Sequence, residues 1–246
     1  MTDHTNGSAE LPLPRGVFIS CQAPEESPLR DPHVMVSMAL AAEKAGASGI
    51  RAEGVADISQ IVRAVKLPVI GIRKKHYDGS EVYITPTRFE VDEIAAAGAH
   101  IVALDATPRP RPGGETLGGV VSHARLLGLT VMADLSTIED AAGALEAGVD
   151  VLGTTLVGAS EDDVRPGGPN LRAIEELARR FPDVQIVAEG RFATPDDVRG
   201  AFLAGASTVV VGKAVTDAYA LTLDLVAAAD AVGARAASVN VGVIRH

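Results

Sequence analysis

The chain has 246 residues, 47% of them hydrophobic and 22% charged, with a formal net charge of −10. The length suits one α/β barrel without requiring a second domain, and the acid excess excludes the broad basic surface through which nucleic acid is bound. One cysteine, Cys21, excludes an intrachain disulfide, the polar start Met1–Glu10 lacks a signal peptide's apolar run, and nothing approaches the roughly 18 apolar residues of a membrane span, so the expectation is a cytoplasmic protein.

After a tail expected to be flexible over residues 1–14, strand and helix signals alternate eight times. The expected strands are Gly16–Cys21, Ser48–Arg51, Pro68–Ile72, Ala99–Leu104, Leu129–Ala133, Val149–Gly153, Val184–Ala188 and Ser207–Val211. Asp31-Pro32 reads as a helix cap with Pro at the first helical position, and Ile58, Ile61, Val62 and Val65 form a one-face helical stripe. Thr87–Glu90 and Ser136–Glu139 fit capping boxes, and Thr194-Pro195 repeats the cap-plus-Pro signal. The pair Ala-Gly recurs as a helix stop at Gly46, Gly98, Gly148 and Gly205, and two β/α units fit each interval. Loops Pro108–Glu115 and Ser160–Pro169 follow strands four and six. Eight evenly spaced units favour a closed barrel over an open doubly wound sheet. With 3% aromatic residues and no Trp, the core must be built from Ala, Val, Leu and Ile, which suits parallel strands buried on both faces. The fold class is α/β: a single (β/α)8 TIM barrel over residues 15–232, with 233–246 a tail or a subunit contact.

In such barrels the reacting groups sit where strands run into the loops that follow them. Those positions hold Ser20, Cys21 and Gln22; Arg51; Arg73, Lys74 and Lys75; Asp105; Asp134; Thr154 and Thr155; Glu189, Gly190 and Arg191; and Gly212 and Lys213. So many polar groups converging on one rim point to a site, because isolated charges are costly to bury. Lys74 and Glu189 are the candidates for proton transfer, since a partly desolvated carboxylate and a lysine among cations can both be tuned towards neutrality. Arg73 and Lys74 are adjacent, so strand parity lets only one face the pocket and leaves open which. The Gly-cation pairs Gly190-Arg191 and Gly212-Lys213 fall on the two loops that commonly hold phosphate. Asp105 and Asp134 read as acceptors for substrate hydroxyls or for Lys74. Cys21 reads as packing, no histidine spacing suggests a metal, and no Gly-x-Gly-x-x-Gly supports a dinucleotide cofactor.

Ser20-Cys21-Gln22-Ala23, Gly49-Ile50-Arg51-Ala52, Pro68-Val69-Ile70-Gly71-Ile72, Ile84-Thr85-Pro86-Thr87, Leu104-Asp105-Ala106-Thr107, Gly153-Thr154-Thr155-Leu156 and Ala188-Glu189-Gly190-Arg191 occur in that order. Together they resemble the N-acetylmannosamine-6-phosphate 2-epimerase family over about Gly16 to Val226. The resemblance implies a TIM barrel of sialic-acid catabolism that interconverts N-acetylmannosamine 6-phosphate and N-acetylglucosamine 6-phosphate without a redox cofactor. It places the catalytic lysine at Lys74 and the glutamate at Glu189, with Gln22, Arg51 and Asp134 as substrate-side residues. Proton removal and return at C2 is the chemistry implied, with Arg51 and Gln22 as donors to substrate oxygens and the division of labour between Lys74 and Glu189 open. The chain departs from the family pattern at Asp217, where an arginine is usual, at Ala159 for a tyrosine, and at Lys75-His76 for Arg-Asp. Lys213 could replace the missing cation. An isomerase or lyase for another phosphorylated sugar, or a barrel that binds a sugar phosphate without turnover, are the competing readings. A homodimer is a further expectation.

Overall fold

The computed structural model describes residues 12–158 and 167–241, with side chains described as far as residue 231. Eight parallel strands close into a barrel in chain order: β1 (Gly16–Cys21), β2 (Gly49–Glu53), β3 (Val69–Ile72), β4 (Ile101–Asp105), β5 (Thr130–Asp134), β6 (Val151–Gly153), β7 (Gln185–Glu189) and β8 (Thr208–Val211). The returning helices are α1 (Pro32–Lys44), α2 (Val55–Ala64), α3 (Arg88–Ala96), α4 (Leu117–Leu126), α5 (Asp140–Glu146), α6 (Leu171–Arg180) and α7 (Pro195–Leu203). A short α8 (Lys213–Thr216) and a long α9 (Ala218–Val241) follow β8. The repeat thus folds as the (β/α)8 barrel expected of it. Of the two long loops, residues 159–166 of the second, and Ala159 with them, lie outside the described residues.

Local chemistry sets the helix ends. Asp31 caps α1 by accepting the His33 amide at 2.7 Å, and Thr87 with Glu90 and Thr194 with Asp197 form reciprocal capping boxes. The box expected at Ser136–Glu139 lies one residue later. Asp140 accepts the Thr137 amide at 2.8 Å, and the Asp140 amide reaches Thr137 Oγ1 at 3.3 Å. Thr137 offers the same hydroxyl as Ser136, and its partner three residues on is the shorter carboxylate.

The four Ala-Gly stops share one hydrogen-bond pattern. The amide after each glycine reaches back five residues, as Ala47→Ala42, Ala99→Ile94, Val149→Ala144 and Ala206→Ala201. That bond keeps Ala99 and Val149 in the helix stop, so β4 and β6 start later than the apolar runs suggest. At their other ends β2, β4, β5 and β7 run past the expected limits, to Glu53, Asp105, Asp134 and Glu189.

Strand alternation divides the core in two. Phe18, Ile70, Ile72, Ile101, Met132, Val151, Val187 and Val210 fill the barrel interior. Their neighbours, such as Ile50, Val102, Val131, Leu152 and Val209, face the helices. Each fully buried side chain of this kind contributes roughly 1.5–3 kcal/mol over the exposed state. Residues 12–14, expected in the loose tail, close the barrel's lower end instead. Leu13 is fully buried, and its amide and carbonyl both bond the Gln185 side chain at 2.9 Å. A bare barrel would leave apolar interior open there, and a leucine fills it. At the upper end, β3 leads into a hairpin in which Lys74 bridges Ile84 and Tyr77 bridges Ser80. Among the described residues no helix is long and apolar enough to cross a membrane.

Candidate active site

The same alternation that fills the interior with Phe18, Ile72, Met132 and Val187 sends the next inward residues to the upper mouth. Two residues on from each lie Ser20, Lys74, Asp134 and Glu189, and β2 contributes Arg51 and Glu53 on one face. Of these, Ser20, Glu53, Lys74 and Glu189 wall a cavity of about 560 Å³. Gln22, Lys74, Glu189, Gly212 and Lys213 line it, joined by Glu53, Arg30, Arg73, His76 and Asp217. Arg51, Asp134, Thr154, Thr155, Gly190 and Arg191 do not line it.

Arg51 lies just beneath the floor with 1% of its side chain exposed. Its Nη1 and Nη2 donate to Asp134 Oδ1 at 3.1 Å and Oδ2 at 2.7 Å, and Nη1 also meets Glu189 Oε2 at 2.9 Å. Thr155 Oγ1 sits between the two acids, 2.5 Å from Asp134 Oδ1 and 3.1 Å from Glu189 Oε2. Burial alone would favour a neutral Arg51, but Asp134 and Glu189 outweigh it and hold the guanidinium charged. Thr154 clamps the strand end: its Oγ1 donates to the Glu189 carbonyl at 2.9 Å and accepts the Glu189 amide at 3.0 Å. Two carboxylates thus occupy the Nη atoms of Arg51, while its buried Nε has no hydrogen-bond partner among the described residues. Asp134, expected to meet substrate or Lys74, is taken up by Arg51 and Thr155.

Asp105, expected to accept from a substrate hydroxyl or from Lys74, is also engaged elsewhere. It bonds the Thr107 amide at 2.9 Å, the Thr107 hydroxyl at 2.6 Å and Arg109 Nη2 at 2.9 Å, and neither Lys74 nor the cavity. Its three partners are on its own following loop, which it anchors together with buried Arg111, a donor to the carbonyls of Pro86 and Asp105.

Glu189 and Lys74 face the cavity with oppositely shifted titrations. Burial pushes the Glu189 carboxyl up to about 7, Asp134 adds to this, and Arg51, Thr155 and Lys74 oppose it. Burial pulls Lys74 below the usual lysine range, though its side chain still meets solvent at the mouth. Arg51 and Arg30 act in the same direction, and Glu53 and Glu189 oppose. The parity question is answered by position: Lys74 continues the inward row of Ile72. Arg73 turns to the rim, where Nε meets Glu93 of α3 at 3.3 Å and Nη1 meets Glu53 at 3.4 Å.

Of the phosphate candidates, Gly212 and Lys213 stand at the cavity wall, with Lys213 Nζ 2.8 Å from Asp224 of α9. Gly190 has φ +114°, and Arg191 follows at φ +60° with its guanidinium donating to the carbonyls of Gly168 (2.7 Å) and Val157 (3.3 Å). Asp217, where the family pattern has arginine, accepts the Ala220 amide at 2.9 Å and so caps α9. His76 stacks on Tyr83 with ring centroids 5.3 Å apart. Gln22 donates to Ser20 Oγ at 2.7 Å. Cys21 faces the helices; burial, with Asp57, pushes its thiol up to about 12, which suits packing rather than attack. Glu53 and Arg30 went unread in the sequence. Period-two spacing from Arg51 would have reached Glu53 had β2 been carried two residues further.

The model of the N-acetylmannosamine-6-phosphate epimerase family matches residues 35–231. A protein of Caldanaerobacter subterraneus named N-acetylmannosamine-6-phosphate 2-epimerase is 45% identical over 212 residues, 85% of this chain and 89% of its own length. One of the same name from Clostridioides difficile is 42% identical over 206 residues, 84% and 92% of the two chains. The solved structure of the N-acetylmannosamine-6-phosphate 2-epimerase from Clostridium perfringens superposes with a TM-score of 0.82 at 37% identity, covering 92% of this chain and 99% of that one. A thiamine phosphate pyrophosphorylase from Pyrococcus furiosus, at 18% identity and TM-score 0.55, shares the fold alone. With the family's motifs placed on one barrel mouth and the match running through most of the chain, this protein belongs to the N-acetylmannosamine-6-phosphate 2-epimerase family.

Proposed function

We propose that the chain interconverts N-acetylmannosamine 6-phosphate and N-acetylglucosamine 6-phosphate, with Lys74 and Glu189 moving the C2 proton. The observation that carries this reading is the placement of a lysine held below its usual range and a carboxyl raised to about 7 on one cavity. In the open-chain sugar, C2 lies beside the C1 aldehyde. Neutral Lys74 takes the C2 proton, the electron pair of that bond forms the C1–C2 double bond as the carbonyl pair moves onto the aldehyde oxygen, and an enolate forms with the acetamido group still on C2. Protonated Glu189 returns a proton to the opposite face of C2 as the oxygen's electron pair moves back. Lys74 then carries a proton and Glu189 none, which is the state the reverse reaction starts from. Gln22 is placed to donate to a sugar oxygen. Arg51, Asp134, Thr154 and Thr155 hold Glu189 in position from below rather than binding substrate themselves. Gly212 and Lys213 meet the phosphate, and Gly190 with Arg191 shapes the adjoining loop.

The test is proton NMR of N-acetylmannosamine 6-phosphate with the protein in D₂O. Epimerisation with deuterium entering C2 is expected, and Lys74→Ala should lose both by about 10²–10⁴-fold, as for a positioned acid or base. Glu189→Gln should lose epimerisation to a similar degree while Lys74 still exchanges C2 of one epimer. A folded Lys74→Ala protein exchanging at near the wild-type rate overturns the assignment of Lys74.

A homodimer fits the outer surface. On α9, Leu223, Leu225 and Val226 are more than half exposed. An apolar groove of about 510 Å³ between α1, β1 and α8 is lined by Val17, Ile19, Met38 and Val215. A second copy of this chain seated on either surface would bury apolar area. A cytoplasmic location follows from a phosphorylated substrate, which does not cross membranes unaided.

A further inference from the structure

Glu53 is absent from the chemistry above, yet it is the acid at the junction of β2, β3 and the loop after β1. Its side chain is 11% exposed. Oε1 accepts the backbone amide of Lys74 at 3.3 Å and meets Arg73 Nη1 at 3.4 Å, and Oε2 lies 3.7 Å from Arg30 Nη2. Arg73 also meets Glu93 on its other side, so the carboxylate of Glu53 lies between two cations at the Lys74 amide. The reading rests on Lys74 as the proton-transfer group. We infer that Glu53 is a positioning residue for the reaction: it pins the backbone of Lys74 to the end of β2 and sets the charge that the lysine feels.

The balance of charges around Lys74 supports this. Arg51 of β2 and Arg30 of the β1 loop disfavour its ammonium form, while Glu53 and Glu189 favour it, Glu53 the more strongly. Arg73 and His76 flank it on its own segment, and Lys213 and Asp217 face it from the end of β8. Replacing Glu53 by glutamine keeps an oxygen for the Lys74 amide and nearly the same volume. It removes the negative charge and leaves Arg30 and Arg73 uncompensated beside the cavity. Both changes push the Lys74 titration in one direction, downward.

The experiment compares wild type with Glu53→Gln by two readouts. The first is the titration of Lys74 after reductive ¹³C-methylation, assigned by its loss in Lys74→Arg. The second is the pH profile of C2 deuterium exchange. The expected result is that Lys74 titrates about one pH unit lower in Glu53→Gln, the size expected for loss of one nearby charge, and that the flank of the rate profile linked to Lys74 moves with it. Glu53→Asp, which restores the charge, should return the titration towards the wild-type value. A folded Glu53→Gln protein with an unmoved Lys74 titration overturns the inference. A shifted titration in a protein whose wild type exchanges nothing at C2 overturns the epimerase reading and leaves the hold of Glu53 on Lys74 standing.

Discussion

Glu189 is a carboxyl held where its charge is disfavoured. Arg51 sits 2.9 Å away and would stabilise the ionised form, but Asp134 occupies the same guanidinium, and burial outweighs what remains. A carboxyl whose folded value lies near 7, above its ordinary 4.5, binds its proton more tightly in the folded state. Its contribution to stability is therefore full below about 4.5 and is lost as pH rises through about 7. Glutamine cannot ionise and escapes that loss. The melting temperature of Glu189→Gln relative to wild type should rise between pH 5 and pH 8, as measured by circular dichroism. A constant difference across that range would mean that Glu189 titrates normally. Arg51 and Asp134 are buried as well, and their value lies in the pairing rather than in net stability, since a desolvated ion pair offsets its own burial cost only partly.

At the scale of elements, the helix stops carry a comparison. Gly46 and Gly205 both hold positive φ, +89° and +106°. A Cβ at Gly46 would meet nothing within 4 Å, whereas one at Gly205 would lie 2.6 Å from the Ala178 Cβ of α6. Gly46→Ala then costs only the strained backbone, about 1 kcal/mol. Gly205→Ala adds a steric clash between α7's end and α6, typically 1–3 kcal/mol more. Urea denaturation of the two variants measures the difference, and equal losses would show that α6 yields freely. The hairpin after β3 is another element with a specific task. It bridges Lys74 to Ile84 and fixes the lysine's backbone from the side opposite Glu53.

For the whole molecule, the barrel's own interior is closed at the bottom by Leu13, while its outer surface leaves α9 with exposed leucines. If a second copy covers them, Leu225→Glu should convert a dimer to a monomer by light scattering while leaving the barrel folded. A wild-type monomer at all concentrations removes the dimer. α9 also bears on the site: Asp217 caps it and Asp224 holds Lys213, so a partner seated on α9 would act on the Lys213 side of the cavity.

The sequence by itself determined the barrel, because eight β/α repeats, their caps and their glycine stops are local signals read within a turn or two of chain. It also brought Glu189 and Gln22 to the rim of the cavity, since those positions follow from strand ends, but left open which of Arg73 and Lys74 faces it. Only the tertiary structure decided which polar groups meet one another. Arg51, Asp134 and Thr155 come from β2, β5 and the loop after β6, and nothing local says that the guanidinium would be filled from both sides and sink below the floor. Glu53 stayed hidden for a related reason: the end of β2 is set by pairing with β3, where Glu53 lies opposite Ile72, and that register exists only once the barrel closes.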